Sequence, residues 1–219
     1  MRWGMVIDLA RCIGCYGCAV ACKAENGTPP GVAFRRVLSH EEGQYPTARR
    51  VMIPVSCNHC ADAPCVPVCP TGASHQTDEG LVLVDDDKCI GCRYCMMACP
   101  YKNRSFIKQR RAYFPENGLT VLEQSGGEAA IDWEAKLDTV VKCTFCVHRL
   151  DKAKQTGLTP GVDRDATPAC VVTCPSKAMV FGDLDDPQSE ISRLIVSRGG
   201  FQLRPEAGTS PSVYYLPAK

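Results

Sequence analysis

The spacing of its cysteines constrains this chain more than any other feature of the sequence. Sixteen of the 219 residues are cysteines, and every one belongs to a group of four that we call a quartet. In chain order the quartets are Cys12, Cys15, Cys18 and Cys22; Cys57, Cys60, Cys65 and Cys69; Cys89, Cys92, Cys95 and Cys99; and Cys143, Cys146, Cys170 and Cys174. Thiols this close together along the chain crowd around a point, whereas the disulfides of secreted proteins bridge distant loops. The quartets therefore predict four bound metal centres.

The third quartet has the pattern C-x2-C-x2-C-x3-C and is followed by Pro100. This is the bacterial ferredoxin signature, in which three cysteines bind one [4Fe–4S] cluster and the fourth binds the other cluster of a pair. The first quartet differs only in having Lys23 in place of the proline, and the second has one wider gap. The fourth is split between Cys146 and Cys170. The sequence therefore predicts four [4Fe–4S] clusters.

Zinc is the main alternative, because C-x2-C pairs also form zinc sites. Structural zinc sites often include histidine, and none of the four histidines of this chain occupies a ligand position in the quartets. His59 lies between Cys57 and Cys60, where we expect it to support a cluster or lie at the surface instead of binding metal. Zinc and disulfides stay open as the minor alternatives.

The charge balance and the apolar pattern set further expectations about partners and membrane segments. Lysine and arginine number 25 against 24 aspartates and glutamates, which gives no reason to expect binding to nucleic acid or to an acidic membrane surface. No run approaches 18 consecutive apolar residues, so we expect no transmembrane segment. The first quartet begins at Cys12, close to Met1, so we expect no secretory or twin-arginine signal.

Cluster binding changes the charge balance of the chain. The formal net charge of +1 counts the cysteines as neutral. With sixteen thiolates and four cluster cores it falls to roughly −7. Six basic residues beside the quartets either offset this charge or are ordinary surface residues: Lys88, Arg93, Lys102, Arg104, Lys142 and Arg149.

Short apolar runs predict β-strands at 5–7, 51–53, 81–84 and 179–181. The i, i+4 spacing of Cys18 with Cys22 and of Cys95 with Cys99 predicts short helices. Residues 108–139 show no sustained period, and we interpret them as a surface loop or, alternatively, a segment that contacts a partner. In the C-terminal extension, 185–219, a helical face at Ile191, Leu194 and Ile195 precedes a predicted strand at 213–216.

Several motifs together resemble the iron–sulfur subunits of the dimethyl sulfoxide reductase family of molybdopterin oxidoreductases. The resemblance covers roughly residues 4–184. It is carried by Cys57-Asn58-His59-Cys60, Ala63-Pro64-Cys65, Cys69-Pro70-Thr71-Gly72-Ala73, Asp87-Lys88-Cys89-Ile90-Gly91-Cys92 and Cys143-Thr144-Phe145-Cys146. The size of the chain resembles the branch that serves polysulfide, thiosulfate, tetrathionate and arsenic-oxyanion enzymes. The nitrate reductase branch has tryptophan at the position of Cys92, so the resemblance implies four complete clusters here.

The resemblance implies a non-catalytic electron-transfer subunit. Its partner would be a large catalytic subunit that holds molybdenum or tungsten in molybdopterin guanine dinucleotide. A membrane quinol-anchoring subunit or a soluble cytochrome would be the further partner, in anaerobic respiration. The resemblance also implies a periplasmic location reached by co-export with a twin-arginine-signalled partner, with the cytoplasm as the alternative. A free-standing polyferredoxin that shuttles electrons between enzymes is the alternative function.

The resemblance also implies the fold and the pairing of the quartets. The fold is α+β, with two nested, bacterial-ferredoxin-like dicluster modules of short strands and helices joined by long loops. The outer module comprises 1–52 with 140–184, the inner module 53–107. The implied ligand sets are Cys12, Cys15, Cys18 and Cys174; Cys143, Cys146, Cys170 and Cys22; Cys57, Cys60, Cys65 and Cys99; and Cys89, Cys92, Cys95 and Cys69.

Overall fold

Short strands and helices alternate with loops in the computed structural model, which describes residues 1–218. The strands are β1 (Trp3–Asp8), β2 (Arg35–Glu42), β3 (Arg49–Ser56), β4 (Ser74–Gln76), β5 (Val82–Val84), β6 (Ser105–Phe106), β7 (Val140–Val141), β8 (Met179–Asp183) and β9 (Val213–Leu216). The helices are α1 (Gly17–Asn26), α2 (Tyr94–Ala98), α3 (Val121–Ser125), α4 (Val147–Thr156), α5 (Ala169–Val172) and α6 (Glu190–Ser197). The predicted α+β class is confirmed, as are the four predicted strands and both short helices beside the quartets.

A three-stranded sheet joins distant parts of the chain in the order β8–β1–β9. Strand β1 pairs antiparallel with β8 and parallel with β9, so that Met5 lies opposite both Phe181 and Val213. All six residues of β1 are buried, because the strand is central in the sheet and covered on both faces. Helix α6 packs against this sheet through Ile191, which is fully buried. The predicted C-terminal helix and strand are thus confirmed.

Three two-stranded sheets complete the architecture. The longest is the β2–β3 hairpin, in which Arg35 pairs with Ser56 and Glu42 with Arg49. Strand β3 crosses the module boundary predicted at residue 52 without a break. The β4–β5 hairpin lies within 53–107, and the β6–β7 pair joins Ser105–Phe106 to Val140–Val141.

Residues 108–139 are only partly a surface loop. Many of their side chains are exposed, including Val121 and Phe114. Trp133, however, is 1% exposed and donates a hydrogen bond from its indole nitrogen to the carbonyl of Asn26 at 3.0 Å. The surface-loop interpretation is therefore wrong for Trp133, because one large apolar side chain anchors an otherwise irregular segment in the core.

Candidate iron–sulfur centres

Three concavities of similar size are each lined by four cysteines. Their empty volumes are about 280, 330 and 310 Å³. In that order they are lined by set 1 (Cys12, Cys15, Cys18 and Cys174), set 2 (Cys22, Cys143, Cys146 and Cys170) and set 4 (Cys69, Cys89, Cys92 and Cys95). The remaining four cysteines form set 3, in which the sulfur of Cys60 interacts electrostatically with those of Cys57, Cys65 and Cys99. The fold thus groups the sixteen thiols into the same four sets that the resemblance implies.

The spacing of the sulfurs distinguishes between metals. All sixteen cysteines are free thiols. Four sulfurs around one zinc ion would lie only about 3.8 Å apart, given a Zn–S bond of about 2.3 Å. Among residues 1–218, the one trio of possible ligands within 4.8 Å of one another is Glu25, Cys146 and His148, which contains a single cysteine. The thiol sets are therefore too widely spaced for one ion and fit a larger multi-iron core.

The binding loops of sets 1 and 4 have the same backbone conformation. Gly14 and Gly91 both have φ of +65°, and the residues before α1 and α2, Tyr16 and Arg93, have φ of 60° and 66°. Glycine adopts this left-handed conformation without the steric penalty of other residues. The turn directs three thiols of each loop toward a common point, and the following helix carries the fourth cysteine of the quartet to the neighbouring set.

Burial controls the acidity of these thiols when no iron is bound. It raises the pKa of Cys18 and of Cys143 to about 11, and that of Cys60 to about 12. Burial also raises the pKa of Cys22 well above its usual value. Iron binds thiolate and not thiol, so loading must release protons, and the positive charge of the iron must replace them.

Comparisons with known proteins agree with this geometry. Two family models described as 4Fe-4S dicluster domain match residues 48–113 and residues 81–175. The chain is 46% identical to the arsenate respiratory reductase iron-sulfur subunit of Shewanella sp. (strain ANA-3), over 99% of this chain and 96% of that protein. It is 41% identical to a sulfite dehydrogenase subunit of Allochromatium vinosum, over 98% and 82% of the two chains. It is 40% identical to a tetrathionate reductase subunit of Salmonella typhimurium, over 98% and 72%.

The chain belongs to the iron–sulfur subunits of the dimethyl sulfoxide reductase family of molybdopterin oxidoreductases. As such an electron-transfer subunit, it carries four [4Fe–4S] clusters, and the molybdopterin belongs to the partner in the homologous complexes. None of the helices in residues 1–218 is both long and apolar enough to cross a membrane.

The four thiol sets of the iron–sulfur subunit lie in a row. Cys18 of set 1 has Cys170 of set 2 as an electrostatic neighbour. In the same way, Cys143 of set 2 interacts electrostatically with Cys57 of set 3. Cys95 of set 4 interacts electrostatically with Cys65 of set 3. The order along the molecule is therefore 1–2–3–4, with sets 1 and 4 at the ends.

Each end of this row is exposed and flanked by apolar side chains. Cys15 and Cys92 are the two exposed cysteines. Ile13 and Ile90, each 67% exposed, occupy the same position in the two binding loops, next to the glycine of the left-handed turn. Met97 on α2 is 86% exposed. Apolar groups around the most accessible sulfur of each end make both ends suitable surfaces for protein contact.

Backbone amides donate hydrogen bonds to sulfur in sets 1, 2 and 4. The amide of Ala178 donates to Cys174 Sγ and that of Ser74 to Cys69 Sγ, both at 3.3 Å. The amide of Phe145 donates to Cys143 Sγ at 3.4 Å. Such bonds stabilise the more negative reduced cluster and so raise its reduction potential.

His59 lies at the junction between sets 2 and 3. Its ring is fully buried and stacks on Phe145 with the centroids 3.9 Å apart. Its Nδ1 accepts a hydrogen bond from the amide of Val82 at 3.1 Å, which assigns the ring proton to Nε2. Burial lowers the pKa of His59 well below its usual value, so the ring is neutral. His59 is thus a packing residue between two binding loops.

The basic residues beside the quartets divide into three groups. Arg104 and Lys142 are buried, with 6% and 3% exposure, and the Lys142 ammonium donates to the carbonyl of Cys143 at 2.7 Å. Arg149 forms an ion pair with Glu25. Three others are exposed at the surface, namely Lys88, Arg93 and Lys102. The structure adds Arg35, which the sequence pattern misses because Arg35 and Arg36 look like the exposed start of a polar strand.

Proposed function

We propose that this subunit relays single electrons along its row of clusters, between a molybdopterin catalytic subunit and an external carrier, and catalyses no reaction on the substrate itself. The observation that carries the proposal is the row of four thiol sets with an exposed, apolar-flanked sulfur at each end. A two-electron reaction at the partner's metal requires a one-electron conductor to connect it to a distant carrier. Neighbouring clusters in a row supply that conductor.

Each thiol set holds one cluster in this proposal. The ligands are Cys12, Cys15, Cys18 and Cys174 for cluster 1; Cys22, Cys143, Cys146 and Cys170 for cluster 2; Cys57, Cys60, Cys65 and Cys99 for cluster 3; and Cys69, Cys89, Cys92 and Cys95 for cluster 4. Anaerobically purified protein should then contain about 16 iron and 16 acid-labile sulfide per chain. About eight iron, or stoichiometric zinc, would contradict the ligand sets.

The proposed substrate of the whole complex is a sulfur or arsenic oxyanion. The names of three relatives support this class, since they refer to arsenate, sulfite and tetrathionate. The proposed carrier is quinone-linked, through a membrane anchor subunit, or a soluble cytochrome. A free-standing polyferredoxin is the second candidate. Native purification distinguishes the two, because only the first predicts a stable complex with a large pterin-containing subunit.

We further propose that cluster 1 faces the catalytic subunit and cluster 4 faces the carrier. Cys92→Ser removes one of four ligands at the carrier end, so the site should retain an altered or three-iron cluster. Turnover with a small dye that acts directly on the catalytic subunit should largely survive, while carrier-linked turnover should collapse. Cys15→Ser should impair carrier-linked turnover by interrupting the row beside the catalytic subunit. Intact carrier-linked turnover in Cys92→Ser, with an altered cluster visible, would reverse the direction.

The proposed location is the periplasm, reached by co-export of the folded subunit with a twin-arginine-signalled partner. Cell fractionation in a strain that lacks the catalytic subunit tests it, because the iron–sulfur subunit should then remain in the cytoplasm. Periplasmic accumulation without the partner would contradict co-export. A complex that stays in the cytoplasm when both subunits are present would support the alternative location.

A further inference from the structure

Arg35 is a buried cation between thiol sets 1 and 2. Its side chain is 2% exposed, and its Nη2 lies 3.3 Å from Cys170 Sγ and 3.1 Å from Met5 Sδ. Burial opposes its charge, and the sulfurs of Cys170, Cys143 and Cys18 interact with it electrostatically. Cys170 and Cys143 belong to set 2 and Cys18 to set 1, so this guanidinium faces both.

Arg104 occupies the equivalent place between sets 3 and 4. It is 6% exposed, and its Nη2 donates to Cys65 Sγ at 3.0 Å and to Ser74 Oγ at 2.7 Å. Burial again opposes its charge, and the sulfurs of Cys65 in set 3 and Cys95 in set 4 interact with it electrostatically. It also lines the concavity of set 4.

Both guanidiniums have N–H groups with no partner among residues 1–218. These groups are Nε and Nη1 of Arg35 and Nη1 of Arg104. A buried cation with unused donors is costly unless an anion faces it. Among residues 1–218, no carboxylate is among the main electrostatic neighbours of either arginine; the acidic groups near Arg104 are thiols, and those near Arg35 are thiols and the phenol of Tyr215. The unused donors therefore fit an anionic cluster with its bridging sulfides.

We propose that Arg35 and Arg104 act as internal counter-ions, one in each dicluster module, that raise the reduction potentials of both clusters they face. An added electron makes a cluster more negative, so a fixed buried cation stabilises the reduced form more than the oxidised form. Burial matters because it removes the screening by water and salt that weakens exposed charges. This role rests on the proposed function and its four ligand sets.

The experiment compares neutral and charge-conserving variants of both arginines in the intact purified complex. Midpoint potentials are measured by redox titration monitored by electron paramagnetic resonance, with iron content determined on each sample. Arg104→Gln should lower two of the four potentials, changing the oxidised-to-reduced ratio of each cluster at least tenfold at a fixed potential, which corresponds to about 59 mV. Arg35→Gln should lower the other two. Arg104→Lys and Arg35→Lys keep the positive charge but lose the planar guanidinium that contacts sulfur. They should therefore lower the midpoint potentials less than the Gln variants do.

Lys102→Gln is the matched control, because it removes an exposed cation near set 3 and should leave all four potentials unchanged. Unchanged potentials in fully loaded Gln variants would overturn the proposal, as would a shift of the same two clusters in both variants. Loss of iron from one module in both the Gln and the Lys variants would assign the arginine to assembly and also overturn it. A wild-type content far from 16 iron would instead refute the ligand sets, so the two failures are distinguishable.

Discussion

The two dicluster modules share the same cluster-binding loop but differ in the helices and strands that pack around it. The loop Cys12–Cys18 of the outer module and the loop Cys89–Cys95 of the inner module both begin Cys-Ile-Gly-Cys, with φ of +65° at each glycine. The helix that follows is ten residues long in the outer module and five in the inner module. The outer module supplies strands β1 and β8 of the three-stranded sheet, whose third strand, β9, comes from the C-terminal extension, whereas the inner module contains the three-residue strands of the β4–β5 hairpin.

The buried cores of the two modules also differ in size and in their share of cysteines. The larger core is built mainly from the outer module, and the rest of the chain adds Leu81, Ile107, Trp133, Val213 and Tyr215; it has 19 buried members, of which four are cysteines. The core of the inner module has six buried members, of which three are cysteines. Cysteine ligands therefore form a much larger share of the inner core. We therefore expect the outer module to depend more on protein packing and the inner module more on its clusters.

Iron removal should produce the largest difference between the modules. Structural metal binding contributes on the order of 10 kcal/mol in small metallo-domains. After anaerobic chelation, the amides of β4, β5 and α2 should lose their protection from hydrogen exchange, while those of β1 and β8 should retain part of theirs. Hydrogen exchange measured by mass spectrometry on loaded and iron-free protein tests this. Equal loss in both modules would show that the outer sheet also depends on its clusters.

Truncation of Trp133 should destabilise the outer module because protein packing is lost, with no change in the cluster ligands. Trp133→Ala should lower the free energy of unfolding by about 4 kcal/mol, because it removes a fully buried indole and its hydrogen bond to Asn26. Trp133→Phe keeps an aromatic ring but loses the pyrrole part of the indole and its hydrogen bond, so it should lose less, about 2 kcal/mol. Anaerobic denaturant unfolding measures both changes.

Val121→Ala is the matched control for the Trp133 variants. Val121 lies in the same insertion but is 82% exposed, so its truncation should change stability by less than about 0.5 kcal/mol. A loss below about 1 kcal/mol in Trp133→Ala would mean that the insertion does not support the outer module.

Glu25 provides a second test that concerns only the outer module. Its side chain is 4% exposed; it accepts a hydrogen bond from His148 Nε2 at 2.7 Å and pairs with Arg149. Burial alone would raise the pKa of Glu25, but the hydrogen bonds from His148 and Arg149 outweigh it and lower this pKa to about 2. Glu25→Gln should therefore destabilise the protein by about 3 kcal/mol, because Arg149 loses its anionic partner.

The stabilisation by Glu25 has a defined pH dependence. A carboxylate whose folded-state pKa is lowered stabilises the protein above its unfolded pKa of about 4.5, and this contribution disappears as pH falls toward about 2. The stability gap between wild type and Glu25→Gln, measured by thermal unfolding, should therefore narrow below about pH 4.5. A gap that widens in acid would contradict the assigned ion pair.

Most of the supporting elements could be predicted from the sequence, because their patterns are local. The run around Met5–Ile7 and the helical face at Ile191 follow from periodicity, and the quartets identify every thiol that the fold brings together. The buried roles of Arg35, Arg104 and Trp133 could not be predicted. Each lies in a polar or irregular stretch, and its burial depends on contacts with residues from 30 to 135 positions away. Likewise, no local pattern indicates that β9 joins the sheet beside β1.

Gly14 and Gly91 have the same conformation in the two loops but different surroundings. Replacement by alanine imposes a penalty of roughly 1–2 kcal/mol at either site, because both have φ of +65°. A Cβ on Gly14 would lie 2.6 Å from Cγ of Met52, a flexible side chain that can move. A Cβ on Gly91 would lie 2.2 Å from the carbonyl oxygen of Asp138 and 2.9 Å from a ring carbon of Phe106.

The backbone at Asp138 has little freedom to move away, because its amide donates to the carbonyl of Ile107 at 2.6 Å, beside the β6–β7 pair. Gly91→Ala should therefore be less stable than Gly14→Ala by about 1–2 kcal/mol, the usual range for overpacking a close contact. Anaerobic denaturant unfolding of the two loaded variants gives this difference, and hydrogen exchange at Asp138 locates it. Equal losses would mean that the left-handed turn alone determines the penalty, and that the rigid backbone behind the inner loop does not distinguish it from the outer one.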